Sequence, residues 1–217
     1  FYACGTLAGA EVASPPVEVT TGALPHDLPD LYAAVDEDDA GDGFTAVGIL
    51  STRSTAAILD ARGRYTGWFQ NPDGDKLTTR VARARDGRSV LVVSHPNADS
   101  NDGSGAFRLY RVSYDGAEVT AIDAPGLHHD FVELPDGTIT FLSYDIRTVE
   151  GTATVAHGDR LVEIAPDGTS REVWTCWDWY AYDDVPTDVT AGTEFLHANT
   201  VHFDEATDAY WVGLRNL

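Results

Sequence analysis

The chain has no methionine, only two cysteines and few basic residues, and each shortage excludes something. Cys4 and Cys176 lie far apart with no spacing pattern between them, so no disulfide framework can be read. Fourteen Lys and Arg face 35 Asp and Glu, giving a net charge of −21. Proteins that bind phosphate polymers displace counterions with basic side chains, so neither nucleic acid nor an anionic membrane surface is an expected partner. An acidity of this size reads as solubility. No apolar run approaches the roughly 18 residues that a membrane helix needs. Helical periodicity is almost absent as well, and Ala33–Ala34 is too short to argue for a helix.

What is present is a series of short apolar or alternating runs: Ala56–Leu59, Ser89–Ser94, Phe107–Val112, Thr138–Leu142, Arg160–Ile164 and Tyr210–Leu214. Glycine turns, mostly Asp-Gly, bound them, which is strand and hairpin chemistry. Beneath the runs lies a repeat. Gly63, Gly116 and Gly168 close similar segments 53 and 52 residues apart, and Gly87 and Gly137 form a second series 50 apart. Two hairpin turns per period of about fifty residues suit a four-stranded propeller blade, and fit an immunoglobulin-like sandwich less well. The expected fold is all-β, with residues 45–217 forming a partial β-propeller of about three to four blades. Residues 1–44 do not fit the repeat and are expected to be an N-terminal segment or linker. Their acidic Asp36–Gly43 run reads as a solvated loop, without the spacing of an EF-hand.

The turns also align the inner strands. Placing Val132 on Val201 sets His128 over His197 and Asp130 over Asn199, with Thr78 and Arg80 at the same offset one period earlier. Strand side chains alternate, so His128 and Asp130 are expected on one face, as are His197 and Asn199, with His129 turned away into the blade. Hydrogen-bonding residues recurring in phase are expected to converge on one axis and mark a site. His26, His95, His157 and His202 lack this phasing and read as packing or surface residues. Arg215 follows His197 by 18 residues, across one hairpin. Its planar fork suits a pair of sulfate or phosphate oxygens, although a salt bridge at the blade end fits the spacing equally well.

The order of these motifs carries a resemblance. His128-His129-Asp130 before Leu134-Pro135-Asp136-Gly137, then Glu163-Ile164-Ala165-Pro166-Asp167-Gly168, then Trp174–Trp179, then His197-Ala198-Asn199 and a strand ending in Arg215, resembles the bacterial arylsulfotransferases. The likeness runs from about Ala57 to Leu217 and is densest over Pro125–Arg215. It implies a six-bladed propeller that binds an aryl sulfate in its central channel. There a histidine takes the sulfuryl group and passes it to a second phenol, with no nucleotide sulfate donor and no cofactor. Carried over by motif, His128, His197 and Arg215 would be catalytic, and Asn199, Asp130, Arg80 and His129 would bind substrate. The family's nucleophilic histidine lies in a later blade, and no motif here matches it. Phe1 and the strand-like end at Leu217 read as cuts, so that histidine is expected beyond Leu217.

Two other readings compete. His128, His129, Asp130 and His197 could ligate a divalent metal in a hydrolase or lyase, although alternation separates His128 from His129. A propeller that binds a ligand or partner without catalysis is the other, since the fold hosts unrelated functions. Phe1-Tyr2-Ala3-Cys4-Gly5 resembles a lipoprotein cleavage site, with Ser14-Pro15-Pro16 as a tether. That pattern gives the expectation of an exported protein, periplasmic or extracellular and anchored at Cys4, against the plainer reading of an ordinary cysteine. Assembly as a homo-oligomer stays open.

Overall fold

Two turns per period become two hairpins per sheet. The computed structural model describes residues 43–49, 54–70, 80–94, 107–184 and 195–217, a few positions between 24 and 31, and the backbone of a short hairpin, β1 (Cys4–Leu7) and β2 (Ala10–Ala13). Thr78, His26, His95, Ala33–Ala34 and residues 36–42 lie outside them, as does the side chain of Cys4. Among the described residues no helix is long and apolar enough to cross a membrane.

The first blade contributes β3 (Thr45–Ile49), β4 (Thr55–Leu59) and β5 (Tyr65–Gln70) as a three-stranded antiparallel sheet. The second is four-stranded: β6 (Val81–Arg83), β7 (Ser89–Ser94), β8 (Arg108–Ser113) and β9 (Val119–Asp123). The third repeats that order with β10 (Leu127–Glu133), β11 (Ile139–Thr148), β12 (Val155–Ile164) and β13 (Ser170–Thr175). The fourth contributes its first hairpin, β14 (Ala198–Asp204) and β15 (Ala209–Leu214). The protein is therefore all-β, a partial propeller whose sheets each run up and down in chain order.

Each glycine series falls on one kind of turn. Gly87 and Gly137 join strands one and two of their blades, while Gly63, Gly116 and Gly168 join the last two, all with positive φ. The aspartates beside them lock the turns. Asp136 accepts the Thr138 N–H, Asp167 the Thr169 N–H, and Asp60 both the Arg62 and Arg64 N–H, each at 2.9 Å. A side-chain carboxylate thus supplies the partner that the tight backbone cannot.

Packing between blades explains why some strands are apolar throughout rather than alternating. Every residue of β7 is buried, because the blades on either side cover both of its faces. Val90 and Val92 meet Ala56 and Phe69 of the first blade, and Leu91 and Val93 meet Phe131 and Phe141 of the third. Leu142 and Leu161 meet Ala198 and Val201 of the fourth. Polar staples cross the same seams. Arg111 Nη2 donates to Glu133 Oε1 at 2.6 Å, and Tyr210 OH donates to Glu163 Oε1 at 2.8 Å while lying 2.7 Å from Thr140 Oγ1.

Candidate functional site

β10 does not alternate from its first residue. Pairing with β11 runs from Leu127↔Ser143 directly to Phe131↔Phe141, so His128, His129 and Asp130 occupy the space opposite Leu142 alone. His129 takes φ 53°, a left-handed conformation uncommon outside glycine, and the chain bulges there. β14 repeats the device: His197, just before it, also has φ 53°, and its pairing skips between Ala198↔Leu214 and Thr200↔Gly213. Gly126 admits the turn into β10, at φ 73°, and a Cβ there would lie 2.8 Å from Ser143 Oγ.

The bulges rearrange the expected faces. His128 is buried, and its Nδ1 lies 3.0 Å from Nδ1 of His129. His129 is exposed and sets its ring edge-on to His197, with centroids 4.9 Å apart. It does not turn into the blade; it joins the other two imidazoles. Asp130 is engaged by other partners. Arg80 Nε donates to its Oδ1 at 2.8 Å, and Thr200 Oγ1 and the Val201 N–H donate to its Oδ2 at 3.0 and 3.1 Å. Its partners are therefore different from those of His128. Asp130 and Arg80 tie three blades together around the histidines instead of standing among them.

Asn199 is exposed within the bulge of β14. Arg215 returns beside His197 as the hairpin spacing requires, its backbone N–H donating to the His197 carbonyl at 3.2 Å. Its side chain is exposed, and Nε donates to Asn216 Oδ1 at 3.3 Å. Asn216 is buried and donates to the Phe195 carbonyl at 3.2 Å, fixing the segment that leads into His197.

Three neighbours were not singled out by repeat phasing: Tyr144, His157 and Asp159. The Tyr144 ring stacks on His128, with centroids 4.2 Å apart. Asp159 is 2% exposed, and its Oδ1 lies 3.2 Å from His128 Nε2 while its Oδ2 accepts the Ala198 N–H at 3.0 Å. The first contact is close but poorly aligned, so it acts through charge proximity more than as a directed hydrogen bond. His157 Nδ1 and His128 Nε2 are both buried without a hydrogen-bond partner. His157, expected to be a packing or surface residue, lines the same crevice. The signal available in sequence was His157-Gly158-Asp159, an i, i+2 polar pair on one strand.

The tryptophan-rich segment forms a wall behind this cluster. Thr175 Oγ1 caps a short 3-10 turn, Cys176–Asp178, by accepting the Trp177 N–H at 3.4 Å. The Trp177 indole stacks on Phe195 at 4.6 Å and donates to the Asp145 carbonyl at 3.0 Å, with Arg147 over its face. Gly158 makes room, since a Cβ there would lie 2.5 Å from the indole. The Phe195 N–H in turn donates to the His157 carbonyl at 3.0 Å, so this wall sets the approach to His197. Cys176 is buried here, and burial pushes its thiol up to about 12.

The crevice among the imidazoles is small, about 10 Å³, near the space of one water molecule. Three larger grooves, about 830, 1020 and 800 Å³, open between neighbouring blades, away from the histidines. Convergent polar groups, more than volume, locate chemistry, and that favours the crevice. Among the described residues no group of three or more His, Cys, Asp or Glu side chains is placed to hold a metal ion. The quartet His128, His129, Asp130 and His197 is divided by the commitment of Asp130 to Arg80, Thr200 and Val201.

A search of curated proteins found no match, and neither did a search of solved structures. A family model described as Arylsulfotransferase (ASST) matches residues 33–217, a span that includes every blade and both bulged histidine strands. The chain belongs to the arylsulfotransferase family.

Proposed function

We propose that the imidazole cluster handles a sulfuryl group in transit from a phenolic sulfate ester to a phenol, through a histidine intermediate and without a nucleotide sulfate donor. The observation that carries this reading is the meeting of His128 and His129, from the third blade, with His197, from the fourth. They are held by bulges in two inner strands, and the backbone of Arg215 is bonded to His197. Family membership supports sulfotransferase chemistry in general, and the donor set suits it in detail.

In the first half-reaction an imidazole nitrogen attacks sulfur, the S–O bond to the donor phenol breaks, and negative charge grows on the departing oxygen. A protonated histidine beside that oxygen lowers the barrier as a general acid. Histidine and arginine N–H groups aimed at the three sulfuryl oxygens stabilise the transition state, as Arg215 and His197 are assigned to do. Asn199 adds a neutral donor. Asp130 and Arg80 contribute by holding the blades that carry the cluster. The attacking imidazole is assigned to a later blade, as the family pattern implies. A chain of net charge −21 repels an anionic donor at long range, so capture depends on local donors and on screening by salt.

Full-length protein incubated with 4-nitrophenyl sulfate should release nitrophenol in proportion to added phenol, and His197→Ala should abolish that release with the circular dichroism spectrum unchanged. Folded wild-type protein that releases none refutes the assignment and favours a propeller that only binds. Retained turnover in His197→Ala removes His197 from the site.

A further inference from the structure

Two imidazoles from different strands of the third blade each bury a nitrogen that makes no hydrogen bond. His128 Nε2, on β10, and His157 Nδ1, on β12, have no partner among the described residues. Both rings line the small crevice, whose 10 Å³ is near the space of one water molecule. Asp159 lines it too, with a carboxylate only 2% exposed. Its Oδ1 lies 3.2 Å from His128 Nε2 but out of line for a hydrogen bond, while its Oδ2 accepts the Ala198 N–H at 3.0 Å. Buried polar atoms are nearly always satisfied, by protein or by ordered water. The chemistry of the three groups selects the occupant. No group of metal-ligating side chains is in place among the described residues. An anion would meet the Asp159 carboxylate, and like charges repel strongly in a buried site. An apolar group would strand both nitrogens. Water supplies donors and acceptors together, and a buried water typically makes about three hydrogen bonds.

We propose that the crevice binds one internal water, held by His128 Nε2, His157 Nδ1 and Asp159 Oδ1, which ties His157 to the imidazole cluster. The hydrogens then have a fixed arrangement. Asp159 can only accept, so it takes one hydrogen of the water. The other hydrogen goes to the lone pair of one imidazole, and the second imidazole donates its N–H to the water oxygen. The two facing nitrogens are therefore in opposite states, one carrying hydrogen and one bare. Through Asp159 the link continues to the Ala198 N–H, beside His197, so a single molecule joins two strands of the third blade to the bulge of the fourth. No transfer step enters this site, and it stands or falls apart from the sulfotransferase reading.

A crystal structure of the full-length protein, at a resolution that shows ordered water, tests this directly. One water within about 3.2 Å of all three atoms is expected. A dry crevice, an ion in it, or a water that reaches only one ring overturns the proposal. Nitrogen-15 spectra of histidine-labelled wild type read the hydrogens in solution. Hydrogen on one of His128 Nε2 and His157 Nδ1 and not on the other is expected, and the same state at both overturns the link. Two variants then isolate His157. His157→Asn sets an amide atom near the former Nδ1 and should keep the water, whereas His157→Phe keeps a ring without a polar atom and should lose it. A fully occupied water in His157→Phe, in its wild-type position, overturns the part assigned to His157.

Discussion

Removing the Asp130 carboxylate, as in Asp130→Ala, should loosen three blades at once. Its loss leaves the Val201 N–H without a partner in a residue only 6% exposed, and stranding a buried donor costs about 1–3 kcal/mol. The Arg80 side chain is 47% exposed and returns to water, so the lost ion pair adds at most about 1 kcal/mol. Together these give about 1–4 kcal/mol. For a chain of this size each kcal/mol lowers the melting temperature by about 2–4 °C, so a fall on the order of 10 °C is expected in calorimetry. Asp130→Asn keeps an oxygen for Val201 and should lose clearly less. A melting temperature within a degree of wild type for Asp130→Ala, or equal losses for Ala and Asn, refutes the inter-blade account.

Gly158→Ala should displace the Trp177 indole, disturbing its bond to Asp145 and its stack on Phe195, for a loss of about 1–3 kcal/mol in urea unfolding and a red-shifted tryptophan emission. Cys176 should resist thiol reagents at pH 8 and react only after unfolding, because burial keeps it in the neutral form; a Cys4→Ser background isolates the signal, and fast labelling of folded protein contradicts the burial. The turn carboxylates Asp60, Asp136 and Asp167 are held below their ordinary 3.8, the first two chiefly by backbone N–H groups of Arg64 and Thr138, the third chiefly by the Thr169 hydroxyl. A depressed carboxylate stabilises fully above its unfolded value and loses that contribution as pH falls through its native one. Melting temperature should therefore drop below about pH 4, and Asp136→Asn with Asp167→Asn should flatten the drop.

Much of the architecture was legible because turns are local chemistry. An Asp-Gly pair needs only its own backbone to form a hairpin, so two interleaved series of glycines reported two hairpins per blade before any packing was known. The proximity of Arg215 to His197 followed for the same reason, since a hairpin returns a strand end beside its start. The facing of side chains was less accessible. Alternation assigned His129 to the blade interior, and the bulge between Leu127 and Phe131 brings it to the other imidazoles instead, while Asp130 is taken up by Arg80 and the fourth blade.

By itself the sequence determined that this chain builds β-blades in register with its turns, and that histidines stand at or beside the start of two inner strands. Both follow from short-range backbone preferences and from a repeat that counting reveals. Only the tertiary structure decided which imidazoles meet, that Asp159 stands behind His128, and that Asp130 belongs to the seams between blades. Those outcomes depend on an extra residue absorbed at a positive φ and on carboxylates finding partners some 40 to 70 residues away, Ala198 for Asp159 and Thr200 and Val201 for Asp130. A bulge changes which face a side chain presents, and no local rule specifies where the packing of neighbouring blades will put one.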